Sequence, residues 1–185
     1  DGTAALVEAV RRSGRRMGFL YASSTVVFGP QADVDGPVGP DDPTCPSSIY
    51  ARTKLEAEEV LRGSGIDYVI LRLTSILWTD FGLAEARRFM YNIPLRNRME
   101  ICHPEDMATA VLHAVKGFAR VEGETLIIAG GQEQQMHFED VLEAVFGVFG
   151  LPLPPRERFA NEPYPLHWYD TSRSQGLLGY QMRGL

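Results

Sequence analysis

The chain has 185 residues, 44% of them hydrophobic and 23% charged, with a formal net charge of −6; this is the composition of a globular domain with one sizeable core, and its acidity argues against a nucleic-acid or anionic-membrane partner. No stretch approaches the roughly 18 apolar residues of a membrane span and no signal peptide opens the chain, so a cytoplasmic location is expected. The two cysteines, Cys45 and Cys102, form neither a disulfide framework nor a metal-ligand spacing, and no metal site is expected.

In chain order, Thr3 to Ser13 has helical periodicity, with Leu6, Val7 and Val10 on one face and Gly14 as its stop. Met17 to Ala22 reads as a short buried strand that runs into Ser23, Ser24 and Thr25. Residues 30–46 are rich in proline and aspartate and read as a loop. A helix is predicted at about 47–62, capped by Ser47 or Ser48 and ended by Gly63, with Glu56, Glu58 and Glu59 exposed. Asp67 to Leu73 is the clearest strand. Strand, loop, helix, strand is a βαβ unit and implies a parallel sheet. Further on, a helix is predicted at about 83–91, a strand over Met99 to Cys102, and a helix from Pro104 to about 116, whose proline and first-turn acids suit a helix start. A strand over Thr125 to Ala129, a helix at about 137–147 and a last short helix from Asp170 to Gly179 complete the pattern. The fold class is α/β: a partial Rossmann-like parallel sheet with flanking helices and a small C-terminal lobe. Two regions are expected: 1–80 with the βαβ unit, and 81–185 as a mixed region that returns one or two strands to the core.

Tyr50 and Lys54 lie four apart on a predicted helix, which puts them on one face about 5–6 Å apart at Cβ. A lone tyrosine titrates at about pH 10, and an adjacent ammonium favours the phenolate. Such a pair can move a proton to or from a hydroxyl or carbonyl. Ser24, just past a strand, can hydrogen-bond the same oxygen. Alcohol–ketone chemistry also needs a hydride acceptor that no side chain provides, which implies a nicotinamide. The bland alternative is a helix on which the tyrosine packs and the lysine snorkels.

The company of the motif separates these readings. Phe19 to Gly29 is a strand ending in Ser23 and Ser24 and then an aromatic–glycine pair. Tyr50-Ala-Arg-Thr-Lys54 follows the loop, and Ile70-Leu-Arg72 follows the helix. Ile101 to Asp106 and Asp170 to Tyr180 come later. This order resembles the extended short-chain dehydrogenase/reductase family, which includes NAD-dependent epimerases and dehydratases. The resemblance implies Tyr50 as acid/base, Lys54 as the residue that holds the nicotinamide ribose and tunes Tyr50, and Ser24 as the residue that positions the reacting group. It implies NAD or NADP bound by Ala22, Ser23, Tyr50, Lys54, Leu73 and Thr74, and a small hydroxyl or carbonyl substrate met by Thr25, Ser75 and Arg98. It also implies a homodimer through the helices at 3–14 and 47–62.

The sequence departs from that pattern in places. It has no Gly-x-x-Gly-x-x-Gly turn to approach a pyrophosphate, and Gly130-Gly131 comes too late to serve. Because the chain starts at Asp1, a piece of a longer protein is expected, with an open sheet edge that something else pairs. Phe28 and Ser75 stand where the family has Tyr and Asn. Trp78 falls near a usual Gly, and Arg98 is one residue out of register, with solvated surface as its other reading and that of Arg96. His103 is expected to cap or pack, His113 and His137 to lie on the surface, and Trp168 to pack. The competing reading of the chain is a non-catalytic binding or assembly module on the same scaffold.

Overall fold

The structure is a computed structural model that describes residues 2–30, 35–76 and 89–183. Its central sheet has three parallel strands: β1 (Phe19–Ser24), β2 (Tyr68–Leu73) and β5 (Thr125–Ile128), in the order β1-β2-β5. β2 is buried through its middle, as a central parallel strand must be. Register is continuous along β1 and β2, from Phe19 opposite Tyr68 to Ser24 opposite Leu73. The two strands therefore end side by side. Among the described residues β1 has β2 as its only strand neighbour.

Helices cover both faces. α1 (Gly2–Ser13) and α2 (Ile49–Arg62) lie on one side, where Val7 and Leu61 pack on Ile70. α3 (Pro104–Lys116) and α6 (Ser172–Leu178) lie on the other, where Met107, Ala110, Ala114 and Leu178 pack on Val69, Leu71, Leu126 and Ile128. Between α3 and β5 a single helical turn, α4 (Phe118–Val121), closes the connection. A second, small sheet joins β3 (Ser75–Ile76), β4 (Arg98–Cys102) and β6 (Gln135–His137) in that order. It leads into α5 (Phe138–Val148), whose Phe138, Leu142 and Phe146 form a separate apolar cluster with Met90, Ile93, Phe159 and Leu166.

The expected α/β fold with a parallel sheet and flanking helices is therefore present. The N-cap of α2 is Ser48, whose hydroxyl accepts from Ala51 N at 3.1 Å. Cys102 is fully buried. His103 caps α3, its Nδ1 accepting from Glu105 N at 3.2 Å. Two expectations fail. Glu58 is not exposed: it is fully buried, because it shares the inner face of α2 with Ala51 and Leu61 and finds cations there. His113 is not a plain surface residue: it is half-buried, and its Nδ1 donates to Leu178 O at 2.6 Å, tying α3 to the end of α6. Trp78 and most of the helix expected at 83–91 lie outside the described residues.

Candidate active site

The candidate residues converge at the C-terminal end of β1. Ser24 is the last residue of β1 and the N-cap of a 3-10 turn, Thr25–Phe28. Its Oγ accepts from Val26 N at 3.4 Å. The turn ends at Gly29, whose φ of +68° favours glycine. Tyr50 sits in the first turn of α2 and is 55% exposed, so its phenol is open to a ligand. Lys54 is one turn on. Its Nζ donates to Ala22 O at 2.7 Å and lies 5.6 Å from the Tyr50 ring centre and 5.1 Å from that of Tyr21. The bond to Ala22 fixes α2 against β1 and leaves two ammonium protons for other acceptors. The Tyr21 phenol is held above its usual pKa, first by burial and then by the nearby Glu58 carboxylate.

A buried charge cluster lies behind these residues. Arg72 on β2 reaches Glu58 with two bonds, Nε to Oε1 at 3.1 Å and Nη2 to Oε2 at 2.8 Å, and its Nη1 donates to Pro40 O at 2.9 Å. Arg62 Nη2 adds a third cationic contact to Glu58 at 2.8 Å. Ser23 is buried, and its hydroxyl donates to Glu58 Oε1 at 2.5 Å. Burial pushes the Glu58 carboxyl up, but hydrogen bonding and charge from Arg72, then Ser23 and Arg62, hold it below the usual value. The cluster thus joins α2, β1 and β2 directly beneath Tyr50, Lys54 and Ser24.

The other predicted residues line the neighbouring strand ends. Leu73 ends β2 and is half-buried, with its ring of contacts in the main core. Thr74 is buried, and its Oγ1 donates to Glu100 O at 3.0 Å. Ser75 begins β3, opposite Ile101. Thr25 is buried, and its Oγ1 donates to Leu73 O at 3.5 Å. Arg98 Nη1 donates to Gly36 O at 3.0 Å, and its guanidinium lies 4.8 Å from the Trp168 ring centre. Arg98 is thus engaged with the loop and the lobe, while Arg96 is exposed. Among the described residues no group of His, Cys, Asp and Glu could hold a metal ion, and no helix is long and apolar enough to cross a membrane.

The sequence reading missed Glu58, Glu100 and the segment His167–Tyr169. A signal existed for the first: an arginine inside the apolar strand Tyr68–Leu73 demands a buried anion, and Glu58 lies seven residues beyond the buried Ala51 on the same helix face. Glu100 lies in a strand too short to reveal its partners, and His167–Tyr169 come from a region without periodicity.

A parallel βαβ sheet with Ser24 at the carboxyl end of β1 and the Tyr50–Lys54 helix packed beside it is a Rossmann-like arrangement. Residues 1–77 match the model of the NAD dependent epimerase/dehydratase family. No curated protein sequence matches the chain. Among solved structures, it resembles the UDP-glucuronic acid 4-epimerase of Bacillus cereus in complex with NAD, with 21% identity and a TM-score of 0.77 over 96% of this chain and 60% of that one. It resembles a short-chain dehydrogenase/reductase superfamily protein of Agrobacterium tumefaciens with bound NAD, with 20% identity and a TM-score of 0.79 over 100% of this chain and 67% of that one. It also resembles RMD from Pseudomonas aeruginosa complexed with NADPH, with 20% identity and a TM-score of 0.77 over 98% and 67%. Identities this low establish the shared fold. The chain spans about 60% of the length of the first of these structures.

Proposed function

We propose that this chain carries the chemical half of an NAD(P)-dependent epimerase/dehydratase-type active site acting on a hydroxyl or carbonyl group of a small, sugar-like substrate. The observation that carries the reading is the Lys54 ammonium, bonded to Ala22 O on β1 and set beside the open Tyr50 ring, two residues before Ser24. The residues fit a nicotinamide nucleotide: two free ammonium protons on Lys54 suit ribose hydroxyls, and Ala22, Ser23, Leu73 and Thr74 form the adjoining strand-end wall. Bound there, the nicotinamide supplies the hydride acceptor or donor. Tyr50 takes a proton from the substrate hydroxyl during oxidation and returns it during reduction. Lys54, fixed on β1, stabilises the phenolate that forms. Ser24 Oγ, which accepts from Val26 N, donates its own proton to the same substrate oxygen.

The similar structures bind NAD or NADPH, and one is a UDP-glucuronic acid 4-epimerase. A panel of UDP-glucose, UDP-glucuronic acid and dTDP-glucose with NAD is therefore the first assay. Tyr50→Phe abolishes turnover and leaves the thermal transition in place; unchanged turnover would sink the assignment.

The alternative is a non-catalytic binding or assembly module on the same scaffold. Titration with NAD decides between them, since micromolar binding contradicts the module. We further propose a homodimer through α1 and α2, supported by Leu6, 57% exposed on α1; a monomer in sedimentation equilibrium counts against it.

A further inference from the structure

Arg72 is a charged residue inside an otherwise apolar strand, and it is 3% exposed. It stands opposite Ser23 in the register of β1 and β2, so the two side chains leave the sheet on the same face. Every edge of its guanidinium is engaged. Nε and Nη2 donate to the two oxygens of Glu58, which lies one turn past Lys54 on α2. Glu58 in turn accepts from the hydroxyl of Ser23, the residue before Ser24. Nη1 donates to Pro40 O, in the loop that leads to α2. The guanidinium carbon also lies over the ring of Phe28, 4.8 Å from its centre. Phe28 is fully buried and ends the turn that Ser24 caps. Ser24 is thus held on both sides, at Ser23 and at Phe28, by the side chain that also grips the helix of Tyr50 and Lys54. Cys45 N donates to Val27 O at 3.0 Å, which closes the loop onto the same turn.

We propose that Arg72 is a positioning residue of this site: its guanidinium sets the turn that carries Ser24 against the helix that carries Tyr50 and Lys54. The inference rests on the functional reading above. A lysine at this position keeps the charge but has neither the paired donors nor the flat face. The protein contains its own control in Arg62. Its Nη2 donates to the same Glu58 Oε2 at 2.8 Å and to Thr125 Oγ1 on β5 at 3.2 Å. Among the described residues these are its hydrogen-bond partners, so Arg62 shares the carboxylate and bonds to neither the turn nor the loop.

The test compares Arg72→Lys with Arg62→Lys in the whole chain by amide exchange followed by NMR. Gly29 N, bonded to Val26 O at 3.1 Å, reports the turn, and Cys45 N reports the loop. Ile70 N, bonded to Glu124 O at 2.9 Å in the central strand, reports any general loss of stability. Arg72→Lys accelerates exchange at Gly29 and Cys45 by about tenfold relative to Ile70, and Arg62→Lys leaves that ratio as in the parent. Should Arg72→Lys fail to fold, Phe28→Leu removes the stacked ring, keeps every charge and raises the same ratio by about threefold. A parent-like ratio in the variant that folds, or an equal rise in Arg62→Lys, overturns the proposal. With NAD and UDP-glucuronic acid as probes, Arg72→Lys lowers kcat by about tenfold at unchanged KM, whereas Arg62→Lys keeps both. Loss of turnover in Tyr50→Phe together with unchanged kcat in Arg72→Lys defeats the positioning role alone. If Tyr50→Phe retains turnover, the functional reading falls, and the exchange comparison still judges Arg72.

Discussion

Glu100 offers a sharp test of the packing, because it is a buried carboxyl to which no cation among the described residues is bonded. It is 1% exposed. Three donors converge on it: Gly131 N on Oε1 at 2.8 Å, and Gln135 Nε2 at 3.0 Å and Tyr169 N at 2.8 Å on Oε2. Burial pushes its pKa from 4.5 up to about 7, against the pull of these donors. The sign follows from that rise: the folded state binds the proton more tightly than the unfolded one. Stability is therefore fully present below pH 4.5 and is lost as pH rises through about 7. Between pH 5 and pH 8 the loss amounts to about 2–3 kcal/mol, since each tenfold change in proton affinity is worth roughly 1 kcal/mol. Glu100→Gln removes the titration. The amide's NH2 group faces Gly131 N, its least crowded side, and leaves one donor unmet at a cost of about 1–3 kcal/mol at every pH. The parent is thus clearly the more stable protein at pH 5, and the two draw level near pH 8. Urea unfolding of both proteins at the two pH values measures this, and other titrating groups cancel in the difference. A parent-minus-variant difference that is the same at pH 5 and pH 8 would refute the reasoning.

The Glu58 cluster gives two further expectations. Arg72→Met leaves the buried carboxylate with Arg62 and Ser23 alone and costs about 3–5 kcal/mol in chemical denaturation, whereas Glu58→Met with Arg72→Met recovers more than half of that loss. Because Glu58 is held below its ordinary 4.5, its contribution is present above that pH and disappears as acid carries the protein down through the native value, which an acid titration followed by circular dichroism detects. Gly29→Ala destabilises by about 2 kcal/mol or more, since the new Cβ meets the Cys45 carbonyl and φ is +68° there; differential scanning calorimetry reads the change.

The residues that were easy to read are those whose structure is local. β2 announces itself by its β-branched run and α2 by its cap and terminal glycine. Tyr50, Lys54 and Ser24 follow from spacing and order. The second sheet was hidden for a physical reason: β3 has two residues and β6 three, and both exist only through partners far away in sequence. Glu58 resembles its neighbours Glu56 and Glu59 until helix phase is set against the arginine of β2. His167 and Tyr169 follow a proline-rich stretch with no period, so only the assembled fold brings them to Gly29, Phe28 and Glu100.

The junction of Glu58 with Ser23 and Arg72 has a consequence for how the molecule can diversify. Helix and strands are riveted into one block, so Ser24, Tyr50 and Lys54 cannot be moved relative to one another without breaking buried charge pairs. Substitutions are absorbed more readily in the lobe built on β4, β6 and α5, whose apolar cluster shares no residue with this block.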